Sequence, residues 1–193
     1  MAALAFDAPG DAAPRPHQNC YWLVPGLLLA GEHPGTPDPR QLAPRLQAML
    51  DCGLREWLNL TQAYESLPDY AELLRAQASS RTLNVIGSRH PVHDYSVPRA
   101  PEMRRILDTI DAAIKMQRPL YLHCHGGIGR TGTVVGCWLV ERGLSGDQAL
   151  ALIQRKWQVM AKRDRVPVSP ETEGQRIFIL EWVAGAGRTE MSG

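Results

Sequence analysis

The sequence predicts a single α/β domain built on a small, mainly parallel sheet flanked by helices. Short apolar runs bounded by turn residues alternate with stretches of helical period through the first two thirds of the chain, and helical period dominates the remainder. The 193 residues suit one core rather than two domains of ordinary size. Hydrophobic residues make up 44% and charged residues 21%, the balance of a folded protein rather than a disordered one. No internal repeat or interior low-complexity linker interrupts the pattern.

Residues 1–18, rich in Ala, Pro, Asp and Gly, read as a mobile tail, followed by a folded domain over 19–185 and a flexible end over 186–193. Tyr21–Val24 and Leu27–Ala30 read as short strands joined by Pro25-Gly26. Leu42, Leu46, Met49 and Leu50 share one face of a helix over Gln41–Leu50, with Gly53 as its stop. Trp57–Leu60 is a buried-strand candidate and Tyr70–Ala78 a helix. The apolar run Leu83–Ile86 leads into a loop rich in Pro and His, His90–Pro98. Met103, Ile106, Leu107, Ile110 and Ile114 define a helix over Pro101–Met116, and Leu120–His123 reads as a buried strand cut short by Gly126-Gly127. Three helices follow: Arg130–Glu141, a second capped by Ser145 and running to about Met160, and a third opened by Ser169-Pro170-Glu171 that carries Ile177, Leu180 and Val183. Trp57, Trp138, Trp157 and Trp182 fall inside apolar patterns and are expected in the core.

Several function classes are excluded at this level. The formal charge of +1 leaves no global basic field to draw the chain to nucleic acid. The longest apolar stretch, about Thr133–Val140, is far short of the ~20 residues that span a bilayer. The N-terminus lacks a basic region and carries Asp7, Pro9 and Asp11, which makes it a poor export signal. Cysteines at 20, 52, 124 and 137 form no C-x-x-C pair, so neither a structural zinc site nor a dithiol is indicated, and a cytoplasmic protein with free thiols is expected. Cys137 belongs to an apolar helix face; Cys52 and Cys137 are the two thiols available as resolving partners for an oxidised Cys124.

The stretch Leu120-Tyr121-Leu122-His123-Cys124-His125-Gly126-Gly127-Ile128-Gly129-Arg130-Thr131-Gly132 carries the chemistry. A strand delivers Cys124 to a loop with three glycines among residues 126–129, and a helix starts at its far end. Glycines let successive backbone N–H groups converge on an anion, and the helix adds its own unpaired N–H groups and the positive end of its dipole. Arg130 lies where its planar fork can hold two oxygens of that anion. The same field favours thiolate over thiol. A nucleophilic sulfur beside a bound oxyanion describes displacement at phosphorus through a cysteinyl-phosphate intermediate. His90, His93, His123 and His125 surround this region, but successive strand residues face opposite sides of a sheet, so no metal site and no cofactor are expected.

His123, Cys124, five intervening residues, Arg130 and Thr131 resemble the signature of the cysteine-dependent protein tyrosine phosphatase superfamily. Asp94, 30 residues before Cys124 and separated from it by one helix and one strand, resembles the general acid of the dual-specificity-like branch, although Trp-Pro does not precede it as in the larger receptor-type members. The resemblance spans about residues 20–184. It implies that Cys124 attacks phosphorus while Arg130 and the amides of His125, Gly126, Gly127, Ile128, Gly129 and Arg130 hold the phosphoryl oxygens. Asp94 then serves as acid and afterwards as base, Thr131 stabilises the departing thiolate, and His123 holds the loop and lowers the thiol pKa. Gln175 is either an exposed helix residue or the one that orients the hydrolytic water, as a glutamine does in some relatives. His125 is either a solvent-facing rim residue or a contact for multiply phosphorylated head groups. Lys162, Arg163 and Arg165 read as a solvated basic loop or as a border of the cleft.

The resemblance thus implies a phosphomonoester hydrolase acting on phosphorylated protein, phosphotyrosine favoured, with inositol phosphates or phosphoinositides as the second substrate class. A catalytically silent phosphate-binding module is opposed by Cys124, Arg130 and Asp94 standing together, since binding alone needs neither nucleophile nor acid. A sulfur-transfer enzyme of the rhodanese type is opposed by the length of the loop and by the upstream acid.

Overall fold

The computed structural model describes residues 13–36 and 38–187. Five strands form one sheet in the order β1-β2-β5-β3-β4: β1 (Cys20–Val24), β2 (Leu28–Gly31), β3 (Glu56–Asn59), β4 (Ile86–Arg89) and β5 (Leu120–His123). Only the β1–β2 pair is antiparallel; β2–β5, β5–β3 and β3–β4 are parallel. Helices α1 (Pro39–Asp51) and α2 (Ala71–Ser80) cover one face, while α3 (Ala100–Lys115), α4 (Gly129–Val140), α5 (Gly146–Trp157) and α6 (Glu173–Glu181) cover the other. The central strands are buried on both sides, which is why they read as continuous apolar runs.

Two apolar clusters result. Tyr21, Leu23, Leu28, Ala30, Leu58, Leu120 and Leu122 face α3–α6, whereas Cys20, Trp22, Leu29, Trp57 and Tyr121 face α1 and α2. All four tryptophans expected in the core are buried, and so is Cys137. Ser145 caps α5 as its position predicts: its hydroxyl accepts from Gln148 N, and Gln148 Oε1 accepts in return from Ser145 N. No helix among the described residues is long and apolar enough to cross a membrane.

Several expectations are corrected. The first 12 residues lie outside those described, but residues 13–18, expected in a mobile tail, are docked. Arg15 Nη1 donates to the carbonyls of Cys20 and Val159, His17 Nε2 bonds the Tyr121 hydroxyl, and Pro14 O accepts from Trp22 Nε1. At the other end, Ala186 packs on the core and Ala186 N donates to Val183 O, with residues 188–193 outside the description. Helix α5 ends at Trp157, and a short 3-10 turn (Ala161–Asp164) follows it. Helix α6 begins after a Thr172 cap, two residues beyond the expected start. Its expected apolar face is the wrong one: Ile177, Leu180 and Val183 are exposed, while Ile179 is buried against Gly136 of α4, where a Cβ would lie 2.4 Å from Ile179 Cδ1.

Candidate active site

The parallel strands β3, β4 and β5 all point their C-terminal ends toward the same rim of the sheet, where ligands bind in open α/β architectures. There β5 hands the chain to residues 124–128, and α4 starts at Gly129. The loop is held by its carbonyls from outside. Leu60 N donates to His123 O at 2.8 Å, His33 N to His125 O at 2.9 Å, Lys162 Nζ to Gly126 O at 2.8 Å and Ser169 Oγ to Ile128 O at 2.9 Å. Gly127 adopts a left-handed φ of 72°, and a Cβ there would sit 2.3 Å from the carbonyl carbon of Gly31, so only glycine lets the loop rest on the end of β2. Cys124 is 3% exposed at the bottom of this cradle, and its Sγ accepts from Gly127 N at 3.2 Å.

Arg130 is buried and tightly partnered. Its Nη1 donates to Glu65 Oε1 at 2.5 Å and to Val92 O at 3.1 Å, and its Nη2 to Glu65 Oε2 at 3.0 Å, a bidentate clamp. Asp94 Oδ1 lies 3.0 Å from the same Nη2. Burial opposes the charge of Arg130, yet the bonds to Glu65 and the neighbouring Cys124 and Asp94 raise its pKa above the usual value. Burial likewise works against the Glu65 charge, but the Arg130 guanidinium and the Gln62 N–H hold the carboxyl below its ordinary pKa. The guanidinium therefore stays ionised and fixed in direction, with Asp94 as its exchangeable partner.

Asp94 is placed by backbone bonds. His90 N donates to Asn59 O at 2.9 Å and Val92 N to Leu60 O at 3.0 Å, so the loop over 90–98 runs beside the continuation of β3 and brings Asp94 to the mouth with its side chain 46% exposed. Exposed Tyr64 and Tyr95 flank it, and the Tyr64 hydroxyl bonds His93 Nδ1 at 3.2 Å.

His123 is fully buried. Its Nδ1 donates to Cys124 O at 3.1 Å, which leaves Nε2 as the acceptor for the Tyr70 hydroxyl at 2.7 Å. Burial, with His33 beside it, lowers its pKa to about 3. It is therefore a neutral strut under the loop, and any influence on the thiol comes through dipoles rather than charge.

Other expected site residues differ in detail. Thr131 is buried, but its hydroxyl has no hydrogen-bond partner among the described residues, Cys124 Sγ included. His125 is exposed on the rim. Gln175 is buried, which corrects its reading as an exposed helix residue; its Oε1 accepts from Thr172 N at 3.2 Å and its Nε2 donates to Ser96 O at 3.3 Å. Its amide thus ties α6 to the loop carrying Asp94. The same amide stands against Gly129 of the loop, as does a second carboxylate at the mouth beside Asp94, that of Glu171, half-buried against the Gly129 N–H; burial and the like charge of Asp94 raise its pKa.

Two residues of the site escape a reading of the sequence, and a third is left between two readings. Glu65 sits in an unpatterned loop, Glu171 reads as part of a helix opening, and Lys162 reads as part of a charged loop that is either solvated or at the border of the cleft. Lys162 is in fact only 10% exposed and bridges Glu32 Oε2 at 2.7 Å to the phosphate-loop candidate at Gly126 O. His90 and His93 turn to Thr109 and Tyr64, each on its own side of the loop.

This geometry has relatives. An archaeal protein, MJ0215 of Methanocaldococcus jannaschii, is 31% identical over 93 residues, 48% of this chain and 52% of that protein. Protein tyrosine phosphatase domain-containing protein 1 of Danio rerio is 35% identical over 92 residues, 46% of this chain and 11% of that protein. The matched region thus spans about half of the archaeal relative and a small part of the vertebrate one. Among solved structures, a mutant form of Tk-PTP superposes with a TM-score of 0.62 at 23% identity, covering 85% of this chain and 93% of that one. PTPMT1 in complex with PI(5)P gives 0.60 at 17% identity, covering 81% and 90%. The family description "Swiss Army Knife protein, DSP-PTPase phosphatase domain" matches residues 17–179, and with a mainly parallel sheet and a strand–loop–helix site of this shape, the chain belongs to that family of phosphatases.

Proposed function

We propose that the chain hydrolyses phosphomonoesters through a cysteinyl-phosphate intermediate, with phosphotyrosine as the favoured substrate. The observation that carries this reading is the placement of Cys124 Sγ at the floor of a carbonyl-anchored loop, beside a guanidinium fixed by Glu65. An incoming phosphoryl group takes the Arg130 Nη2 that Asp94 holds in the free protein. Cys124 Sγ then forms the S–P bond as the P–O bond to the leaving group breaks, and the proton of neutral Asp94 goes to the departing oxygen. In the second step Asp94 accepts a proton from water, the water oxygen bonds phosphorus, and the thiolate leaves. Arg130 and the loop amides supply the positive charge that stabilises the equatorial oxygens.

The rim supports an aryl substrate. Exposed Tyr64 and Tyr95 present aromatic faces beside the mouth, whereas Glu65, Asp94 and Glu171 make it unfavourable for additional phosphates. A phosphoinositide is the second reading, favoured by exposed His125 and by the likeness to PTPMT1 solved with PI(5)P.

The test is hydrolysis of an aryl phosphate in EDTA, with acid quenching to trap the intermediate. Cys124→Ser is expected to lose turnover and the trapped phosphoryl group while still binding tungstate. Undiminished turnover in that variant overturns the mechanism. A panel of phosphotyrosine peptide, phosphoserine peptide and soluble inositol phosphates ranks the substrates, and preference for an inositol phosphate overturns the aryl assignment alone.

A further inference from the structure

On the α1–α2 side of the sheet, a pit of about 240 Å³ opens between α2 and the edge strand β4. Its origin is a missing side chain. Gly87 pairs in register with Trp57, and paired residues of parallel strands face the same side, so the absent side chain leaves a recess beside the buried Trp57. Trp57 is 1% exposed, and its Nε1–H has no acceptor among the described residues. Leu74, Val85 and the Tyr70 ring add apolar wall.

Two arginines stand at the rim. Arg89 faces the same side of the sheet as Gly87, two residues on, and Arg75 comes from the middle of α2. Both are exposed, and neither makes an ion pair or side-chain hydrogen bond among the described residues, unlike Arg104, Arg118, Arg130 and Arg142. No Asp or Glu lines the pit, and Ser88 alternates to the other face of the sheet. Every unspent polar side chain on this face of the pit is therefore a donor, two of them permanently charged, against an aromatic and aliphatic wall.

We propose that this pit is a second binding site, separate from the catalytic mouth, for a small organic carboxylate with a compact apolar body. The carboxylate lies between Arg75 and Arg89, and the apolar part fills the space that Gly87 leaves open against Leu74 and Val85. The site rests on charge complementarity and on the apolar recess, and does not depend on the catalytic reading. The pit is nonetheless joined to the catalytic loop, because Tyr70, on its wall, donates its hydroxyl to His123.

Phenylacetate is the probe, with phenylacetamide as its neutral isostere and acetate as the head group without a body. Binding is followed on the full chain through the indole and amide proton–nitrogen resonances of Trp57, Gly87 and Arg89. Phenylacetate is expected to move all three with a Kd on the order of 1 mM, the range open to a ligand of its size, and at least tenfold more tightly than either control. Gly87→Leu puts a side chain into the pit from a position where a Cβ meets nothing within 4 Å, and is expected to abolish the response while leaving aryl phosphate turnover within twofold. Arg75→Gln combined with Arg89→Gln is expected to weaken phenylacetate at least tenfold and phenylacetamide not at all. The proposal is overturned by equal binding of the neutral amide, by an unchanged response in Gly87→Leu, or by no response to phenylacetate at 20-fold above the expected Kd.

Discussion

Replacing Glu65 by Gln keeps the volume of the side chain but removes its charge and one of its two acceptor oxygens. The Arg130 side chain is 1% exposed and that of Glu65 12%, so the pair is shielded from water and from salt. Losing one partner of a buried pair costs about 3–5 kcal/mol where nothing replaces it. Here Val92 O remains, a neutral acceptor contributing about 1 kcal/mol, and Asp94 remains, whose half-exposed carboxylate contributes at most about 1 kcal/mol. The net loss is then about 2–3 kcal/mol, or roughly 4–12 °C in Tm for a chain of this size. If half of it is felt where Arg130 meets the transition state, kcat/KM falls about 10-fold. Aryl phosphate kinetics, a thermal melt and the inhibition constant for inorganic phosphate read the three consequences. Glu65→Asp, which keeps the charge and loses the fork, should fall between. The opposite view makes Glu65 a competitor that blunts the Arg130 charge. Tighter phosphate inhibition with unchanged kcat/KM would establish it and refute the positioning role.

Two further outcomes follow from buried groups. His17 and His33 are held to a pKa of about 4, and His123 to about 3, against an ordinary 6.5, mainly by burial. Their folded pKa values lie below the unfolded one, so the unfolded chain takes up protons that the folded chain refuses. Stability is complete above about pH 6.5 and is lost as pH falls toward 4, by up to about 1.4 kcal/mol per unit for each histidine. Urea midpoints measured from pH 7.5 to 5 should decline ever more steeply, and a flat profile would show that these rings are not buried neutral. Gly127→Ala should lose at least about 2 kcal/mol from its left-handed φ and its backbone contact with Gly31, together with most turnover; wild-type melting and kinetics would mean that the loop does not rest on β2.

What was legible in the sequence had its partners close by in the chain. Cys124, the glycines and Arg130 stand within seven residues, and strand, nest and helix N-terminus are local consequences of that run. The short apolar runs and helical periods likewise located four of the five strands and all six helices to within a few residues, whereas β4 begins at Ile86, where the apolar run Leu83–Ile86 ends. Glu65 was illegible because the contact that matters spans 65 positions and leaves no periodic trace. The sequence leaves Lys162 between solvent and the border of the cleft for the same reason, since its partner, Glu32, is 130 positions away. The phase of α6 failed differently. Counting apolar residues selects Ile177, Leu180 and Val183, but close approach at Gly136 draws Ile179 inward, and the two-residue delay before the Thr172 cap carries Gln175 in with it. Packing against a notch overrides amphipathic period when the notch is a glycine on a distant helix.

Arg130 joins both kinds of information. Its place at the start of α4 is written in its neighbours, whereas its direction depends on Glu65, Val92 and Asp94, all from loops that the sheet brings to one rim. A guanidinium on a flexible stem can point many ways from a correct Cα, and only a partner on the far side of the cradle selects one. On the proposed reading the local motif specifies an anion site, and the long-range clamp decides how ready that site is before an anion arrives. A chain keeping residues 123–131 intact but lacking the carboxylate at position 65 should still bind phosphate, only more weakly, and turn it over slowly. That separation of binding from turnover is what the Glu65→Gln kinetics resolve.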